Sequence, residues 1–142
     1  MTGTFRRAVA DDAKALSNCI SAAYARYANL SLPDVAGGVC QDISDHLVWV
    51  YEIEDAIVGG IVVSREASNA HLRNLAVHPA QGGRGIGTLL INTAIEALGA
   101  DGVTSVSLAT HKGMPENVRF YAHLGWVEAG RSGDKVYMSR MI

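Results

Sequence analysis

The residues with the most chemistry to offer form one run, Val77-His78-Pro79-Ala80-Gln81-Gly82-Gly83-Arg84-Gly85-Ile86-Gly87. Four of the 15 glycines fall here, between a strand-type run and a helix-type run. A turn of this kind at a helix start presents backbone N–H groups that no helical carbonyl reaches, and the helix dipole adds partial positive charge. Without Cβ atoms in the way, an anion can approach the backbone. The turn therefore reads as a socket for phosphate oxygens, with Arg84 able to add a full charge. One or two glycines would suggest only a tight turn; four with an arginine favour the anion. Spacing excludes the two commonest phosphate loops. No Lys-Ser/Thr pair follows the glycines, as G-x-x-x-x-G-K-S/T requires. A dinucleotide fingerprint needs a third glycine where Thr88 stands, and Asp101 precedes the next strand, where it cannot reach a ribose.

Other reactive side chains are dispersed. His71 lies within a strand-type run and His111 just after one, and an imidazole titrating near neutral pH can deprotonate an ammonium. His46, His78 and His123 show no H-x-x-x-H or carboxylate pairing, so no metal is expected. No G-x-S-x-G and no reactive-cysteine context supports an acyl-enzyme. Cys19 and Cys40 lack C-x-x-C spacing and read as two buried thiols in a reducing compartment.

These groups need a scaffold. Residues 4–9 read as a strand. Asp11 or Asp12 is placed to cap a helix reaching about Tyr27, with Leu16, Ile20, Ala23 and Tyr27 on one face. Residues 28–45 contain Pro33, Gly37, Gly38 and three Asp, and read as a loop with one helical turn. So long an irregular stretch is more often functional than idle. Runs 46–52 and 56–64, broken at Glu54-Asp55, read as a hairpin, with 70–77 as a third strand beside it. Gly59-Gly60 implies a bulge or the close approach of another backbone. Alternation along 70–77 puts His71, Arg73, Leu75 and Val77 on one face.

A helix over 85–98 carries Ile86, Leu90, Ala94 and Ala97 on one stripe and is expected to end at Gly99. Then come a strand over 103–110 and a helix over 115–124. Phe120 and Leu124 face inward from that helix, with Tyr121 on the adjacent face. Gly125-Trp126-Val127 opens the last strands. Strand 70–77, helix and strand 103–110 form a β-α-β unit, so those two strands should run parallel. Helices on both faces of a mixed sheet hide all the apolar stripes.

Composition bounds the rest. The 142 residues, 15.0 kDa, suit one domain over residues 1–142. With 49% hydrophobic and 18% charged residues, general disorder is excluded. A net charge of −2 argues against a nucleic-acid surface, which needs clustered cations. No apolar run approaches the ~18 residues of a membrane span, and the first residues show no signal segment. A cytoplasmic location is expected.

On Val77-x-Pro79 and Gly85-Ile86-Gly87, the chain resembles the GNAT superfamily of acetyl-coenzyme-A-dependent acyltransferases. That family's hallmark is Val-x-Pro ending a strand, then Arg/Gln-x-x-Gly-x-Gly/Ala opening a helix. A second landmark, Asn117-Val118-Arg119-Phe120-Tyr121 with Gly125-Trp126, is similar to the family's N-x-x-F-Y-x-x-x-G-F and lies at the expected separation. The resemblance covers essentially the whole chain. It departs at position 82, where the family has Arg or Gln and this chain has Gly82 preceded by Gln81.

The resemblance implies an α/β fold. Its mixed, mostly antiparallel sheet of about six to seven strands would splay between two central parallel strands, with helices on both faces. It implies acetyl-CoA as co-substrate and no metal. Leu75, Ala76 and Val77 would lie along the pantetheine arm. Gln81, Gly82, Gly83, Arg84, Gly85, Ile86, Gly87 and Thr88 would surround the pyrophosphate. Asn117 would hydrogen-bond the cofactor, and Tyr121 would protonate the departing sulfur. His71 stands where some relatives carry a glutamate base. Asn74 stands where others carry a carboxylate and cannot serve as one, and His111 is an alternative base. The acceptor, a primary amine on a small molecule or peptide, would meet residues 24–42 and 46–52, where Tyr24, Tyr27, Asp34, Asp42 and Asp45 suit a cation. Paired homodimers are common among look-alikes. A non-catalytic acyl-CoA sensor of the same fold is the alternative.

Overall fold

The computed structural model describes residues 3–30 and 37–142. Its strands are β1 (Thr4–Arg7), β2 (Leu47–Ile53), β3 (Ala56–Glu66), β4 (Asn69–Val77), β5 (Ser105–His111), β6 (Val127–Ser132) and β7 (Lys135–Met141). The helices are α1 (Ala13–Tyr24), α2 (Val39–Asp45), α3 (Ile86–Ala100) and α4 (Pro115–His123). The strands form one sheet in the order β1-β2-β3-β4-β5-β7-β6. Only β4 and β5 pair in parallel, as the β-α-β reading requires. The expected mixed, mostly antiparallel sheet is present.

Two apolar layers sandwich this sheet. On one face Leu16 and Ile20 of α1 and Val39 of α2 meet Val48, Val50, Val62 and Ala76. On the other, Ile86, Leu90, Ile91, Ala94 and Leu98 of α3 join Ile61, Val63, Leu72, Val106, Tyr121 and Trp126. The glycine pair in β3 serves both layers. A Cβ on Gly60 would lie 2.4 Å from Leu16 Cδ1, and one on Gly59 would lie 3.0 Å from Leu90 Cδ1. Each helix thus settles onto bare backbone. The β2–β3 ladder also shifts register beside Gly59, so the bulge expected at the pair is present, while what approaches it most closely is leucine side chains rather than another backbone.

Several sequence expectations need correction. Strand β1 stops at Arg7, because the chain turns at Ala10–Asp12. Asp12 does not cap α1: its carboxylate turns back to accept from Val9 N at 2.8 Å and from Arg6 at 2.8 and 2.9 Å. Helix α3 runs through Gly99 to Ala100. Gly102, at φ 94°, takes the left-handed turn, while Val103 N reaches back to Leu98 O at 3.0 Å. Cys19 is buried but Cys40 is exposed, since it lies on the outer side of α2. Pro33 and Asp34 lie outside the described residues.

Strand β4 departs most usefully. Its ladder with β3 slips between Val62 and Val63, which face Asn74 and Leu72 and leave Arg73 unpaired. This bulge reverses the alternation. Ala70 and Leu72 face the α3 layer, and so do Leu75 and Val77, whereas Ala76 faces the α1 layer. His71 therefore does not share a face with Leu75 and Val77. The parallel ladder ends at the same place, at Leu72 opposite Leu108. From there β4 continues beside β3 and β5 beside β7. The two central strands splay apart.

Candidate active site

The splay opens into a cleft of about 720 Å³. Leu75, Ala76 and Val77 of β4 line one side, and Gln81, Gly82, Gly83, Gly85, Ile86, Gly87 and Thr88 line the turn into α3. Met114 and, from α4, Asn117, Phe120 and Tyr121 close it, with Tyr24 at the end of α1 and Tyr27 just beyond it. The structure thus brings together every residue expected near a coenzyme except Arg84, which is exposed and outside the lining.

The turn leaves its backbone open. Gly83 and Gly85 have φ of 78° and 77°, a left-handed backbone that glycine adopts freely. A Cβ on either would meet no atom within 4 Å, so both face open space. Leu89 N is the first α3 amide bonded back along the helix, to Gly85 O at 3.0 Å. The amides of Ile86, Gly87 and Thr88 precede that ladder and are available to a ligand. Among the described residues the buried Gln81 Oε1, an acceptor, has no hydrogen-bond partner. Gly82 has φ −61° and ψ 151°, a conformation any residue takes, so its lack of a side chain is not forced by the backbone.

Tyr121 sits deeper than the helical pattern suggests. It is buried, while Phe120 and Leu124 are only half-buried, which reverses the expected inward pair. The second landmark explains itself physically. Gly125 at φ 94° lets the chain fold back, and Trp126 N bonds Tyr121 O at 3.0 Å. That sets the Trp126 ring edge-on to Tyr121 at 5.6 Å, with Phe120 on another side at 5.3 Å. Burial, with a smaller push from Tyr24, raises the Tyr121 phenol above its ordinary range. It stays protonated at neutral pH. Asn117, one turn earlier, lines the cleft, and among the described residues its side-chain amide reaches only Met114 Sδ, at 4.0 Å.

The far wall comes from α1. The Tyr24 hydroxyl donates to Asn74 Oδ1 at 2.9 Å and lies 3.4 Å from Leu75 O. Tyr27 donates to Glu116 at the start of α4, and Arg26 lies 4.8 Å over the Tyr27 ring and 3.9 Å from Glu116. These contacts join the two helix layers across the cleft mouth. The Tyr27 bond holds the Glu116 carboxyl below its usual range.

The candidate bases stand outside this lining. His71 is half-buried, with Nδ1 2.9 Å from Ser107 Oγ. Burial first, then Arg73 and Lys135, lower its pKa. His111 Nδ1 accepts from Gly113 N at 2.8 Å, and its Nε2 lies 3.8 Å from Asp134. Asp42 and Asp45 lie on α2, also outside the lining. Sequence reasoning missed Ala22, Ala23, Pro79, Met114 and Phe120 as lining residues. The small residues Ala22 and Ala23 were a usable signal for a close-approaching helix face; the others depend on tertiary placement. Among the described residues no group of three or more His, Cys, Asp or Glu could hold a metal, and no helix is long and apolar enough to cross a membrane.

Residues 44–128 match the family profile described as an acetyltransferase (GNAT) domain. No curated protein matches. Among solved structures, the PaiA N-acetyltransferase from Thermoplasma acidophilum, in complex with coenzyme A, aligns over 100% of both chains with a TM-score of 0.91 and 18% identity. The ribosomal-protein-S18-alanine N-acetyltransferase from Escherichia coli aligns over 99% of this chain and 94% of its own, with a TM-score of 0.83 and 19% identity. At these identities the likeness is one of fold.

Proposed function

Because the chain belongs to the GNAT acetyltransferase family, we propose that it moves an acetyl group from acetyl-coenzyme A to a primary amine of a small molecule or peptide, by direct attack in a ternary complex. One observation carries this reading. A single cleft joins the glycine turn, the free edge of β4 and the Tyr121 phenol. The open space over Gly83 and Gly85 fits a diphosphate. The amides of Ile86, Gly87 and Thr88 would hold it, while Leu75, Ala76 and Val77 flank the pantetheine and Asn117 bonds it. Bound there, the coenzyme supplies a thioester as acyl donor.

The protein's own part is to orient the amine, keep water out and return a proton. A buried phenol is a suitable donor, because the burial that raises its pKa also raises the basicity of a thiolate formed beside it. Removal of the amine proton falls to water or to His71 acting through water, since among the described residues no carboxylate or imidazole lines the cleft. That last observation, with Gly82 in place of the family's Arg or Gln, favours a second reading: a domain that binds acyl-CoA without turnover.

Free thiol released from acetyl-CoA in the presence of a mixed amine panel separates the two. Amine-dependent release supports the enzyme. Tight acetyl-CoA binding with no release on any amine supports the sensor.

A further inference from the structure

Two phenols flank the splay from opposite layers, and the acyl-transfer reading uses only one of them. Tyr121 enters from α4, on the layer that carries the glycine turn. Tyr24 enters from α1, on the other. A coenzyme seated on the α3 turn occupies the first side, so an acceptor reaches the thioester from the second. Tyr24 also lines the cleft.

What holds Tyr24 there is unusual. Asn74, 6% exposed, is one of two buried polar side chains among the described residues. Its site, beside Val62 and Ala76, is otherwise apolar. A buried amide in such a place is costly unless bonded, and its Oδ1 is met by the Tyr24 hydroxyl at 2.9 Å. The Arg73 bulge brings Asn74 to this face; strict alternation from Leu72 would not. The Leu75 carbonyl, 3.4 Å from the same hydroxyl, marks the splayed edge. The Tyr24 proton is thus committed to Asn74, and its oxygen lone pairs are left for a donor in the cleft.

We propose that Tyr24, fixed by Asn74, receives the acceptor amine: its oxygen accepts a hydrogen bond from the amine N–H and aims the nitrogen lone pair at the thioester carbon. Tyr24 touches the acceptor, and Asn74 is a positioning residue acting through it. As the N–C bond forms and the C–S bond breaks, the amine proton leaves to water and the sulfur takes its proton from Tyr121. Tyr24 keeps its own throughout. Burial pushes its pKa up to about 12, consistent with a group that never ionises in the cycle. The inference rests on the acetyl-transfer reading.

The test is a double-mutant cycle on the full chain, using whichever panel amine the wild type acetylates best. Tyr24→Phe keeps the ring. It should lower kcat/KM for the amine roughly tenfold, the size of one neutral hydrogen bond. Coenzyme A affinity by calorimetry should stay within about twofold, and the pH profile should keep its shape at reduced height. Asn74→Ala, checked for folding by circular dichroism with Asn74→Ser as a milder second variant, should lose a similar factor. The double variant should be no worse than Tyr24→Phe alone, because Asn74 has no other route to the amine. Additive losses, a parallel loss of coenzyme affinity, a vanished pH limb, or Tyr24→Phe at wild-type efficiency would each overturn the assignment while leaving acetyl transfer standing. A wild type that acetylates no amine removes both.

Discussion

At Tyr121 one oxygen atom separates packing from chemistry. The ring is gripped by Phe120 and Trp126, and Tyr121→Phe keeps that grip, so the fold and coenzyme affinity should barely change. In the proposed mechanism the hydroxyl matters only when charge collects on the departing sulfur. General acid catalysis is typically worth ~10²–10⁴-fold, so kcat should fall by about that factor with KM for acetyl-CoA nearly constant. Steady-state kinetics with acetyl-CoA and the best panel amine check this. A variant that loses binding and keeps turnover makes Tyr121 a packing residue. His71 poses the opposite question. Burial and the neighbouring cations lower it from 6.5, so the neutral, proton-accepting form gains as pH rises through a value below 6.5. Acting as the base, His71 gives kcat/KM a limb rising there and flat above, apart from the amine's own titration. His71→Ala then removes that limb. A profile identical in the variant returns His71 to its bond with Ser107.

On the proposed reading, the turn between β4 and α3 binds through an element rather than a side chain. Gly85→Asp sets a carboxylate into the open space before the first amides of α3. Aspartate visits the left-handed backbone at a cost of about 1 kcal/mol, so melting should shift by only a few degrees, about 4 to 8 °C per kcal/mol at most. Coenzyme A binding, read by calorimetry, should disappear. Unchanged affinity in a folded variant would move the pyrophosphate elsewhere. The glycine spacing announced this turn plainly. The β4 bulge did not announce itself: nothing in Ala70-His71-Leu72-Arg73-Asn74 marks the slip, because a bulge is set by the partner strand's register rather than by its own residues.

For the whole molecule, one guanidinium adds a tie to the β1–β2 ladder at the start of the described chain. Arg6 of β1 grips Asp12 at 2.8 and 2.9 Å and reaches Glu52 of β2 at 3.2 Å. That bond to Arg6 is the main cause holding the Asp12 carboxyl below 3.8. A depressed carboxylate contributes stability that is complete above its unfolded pKa and is lost as pH falls through the folded one. Asp12→Asn should therefore cost about 2 kcal/mol at pH 7, in line with hydrogen bonds to a charged group. The gap to wild type should narrow as pH drops below about 4. Urea unfolding at pH 7 and pH 3 measures both. An equal gap at the two values would mean that shape, not charge, makes the tie.

The order of elements, the parallel β4–β5 pair and most residues that line the cleft were legible in the sequence, because each rests on a local signal. Alternation marks strands, a 3.6-residue stripe marks α3, and glycines mark a backbone left open at a turn. The faces of β4, the depth of Tyr121 and the meeting of Tyr24 with Asn74 were decided only in three dimensions. Each joins residues from elements far apart in the chain: Tyr24 and Asn74 are 50 positions apart, and what brings them together is a register slip against β3 and the seating of α1 on bare Gly60. Local patterns constrain a residue's own element. Which two elements touch, and which atoms face the gap between them, is set by packing that no short stretch of sequence contains.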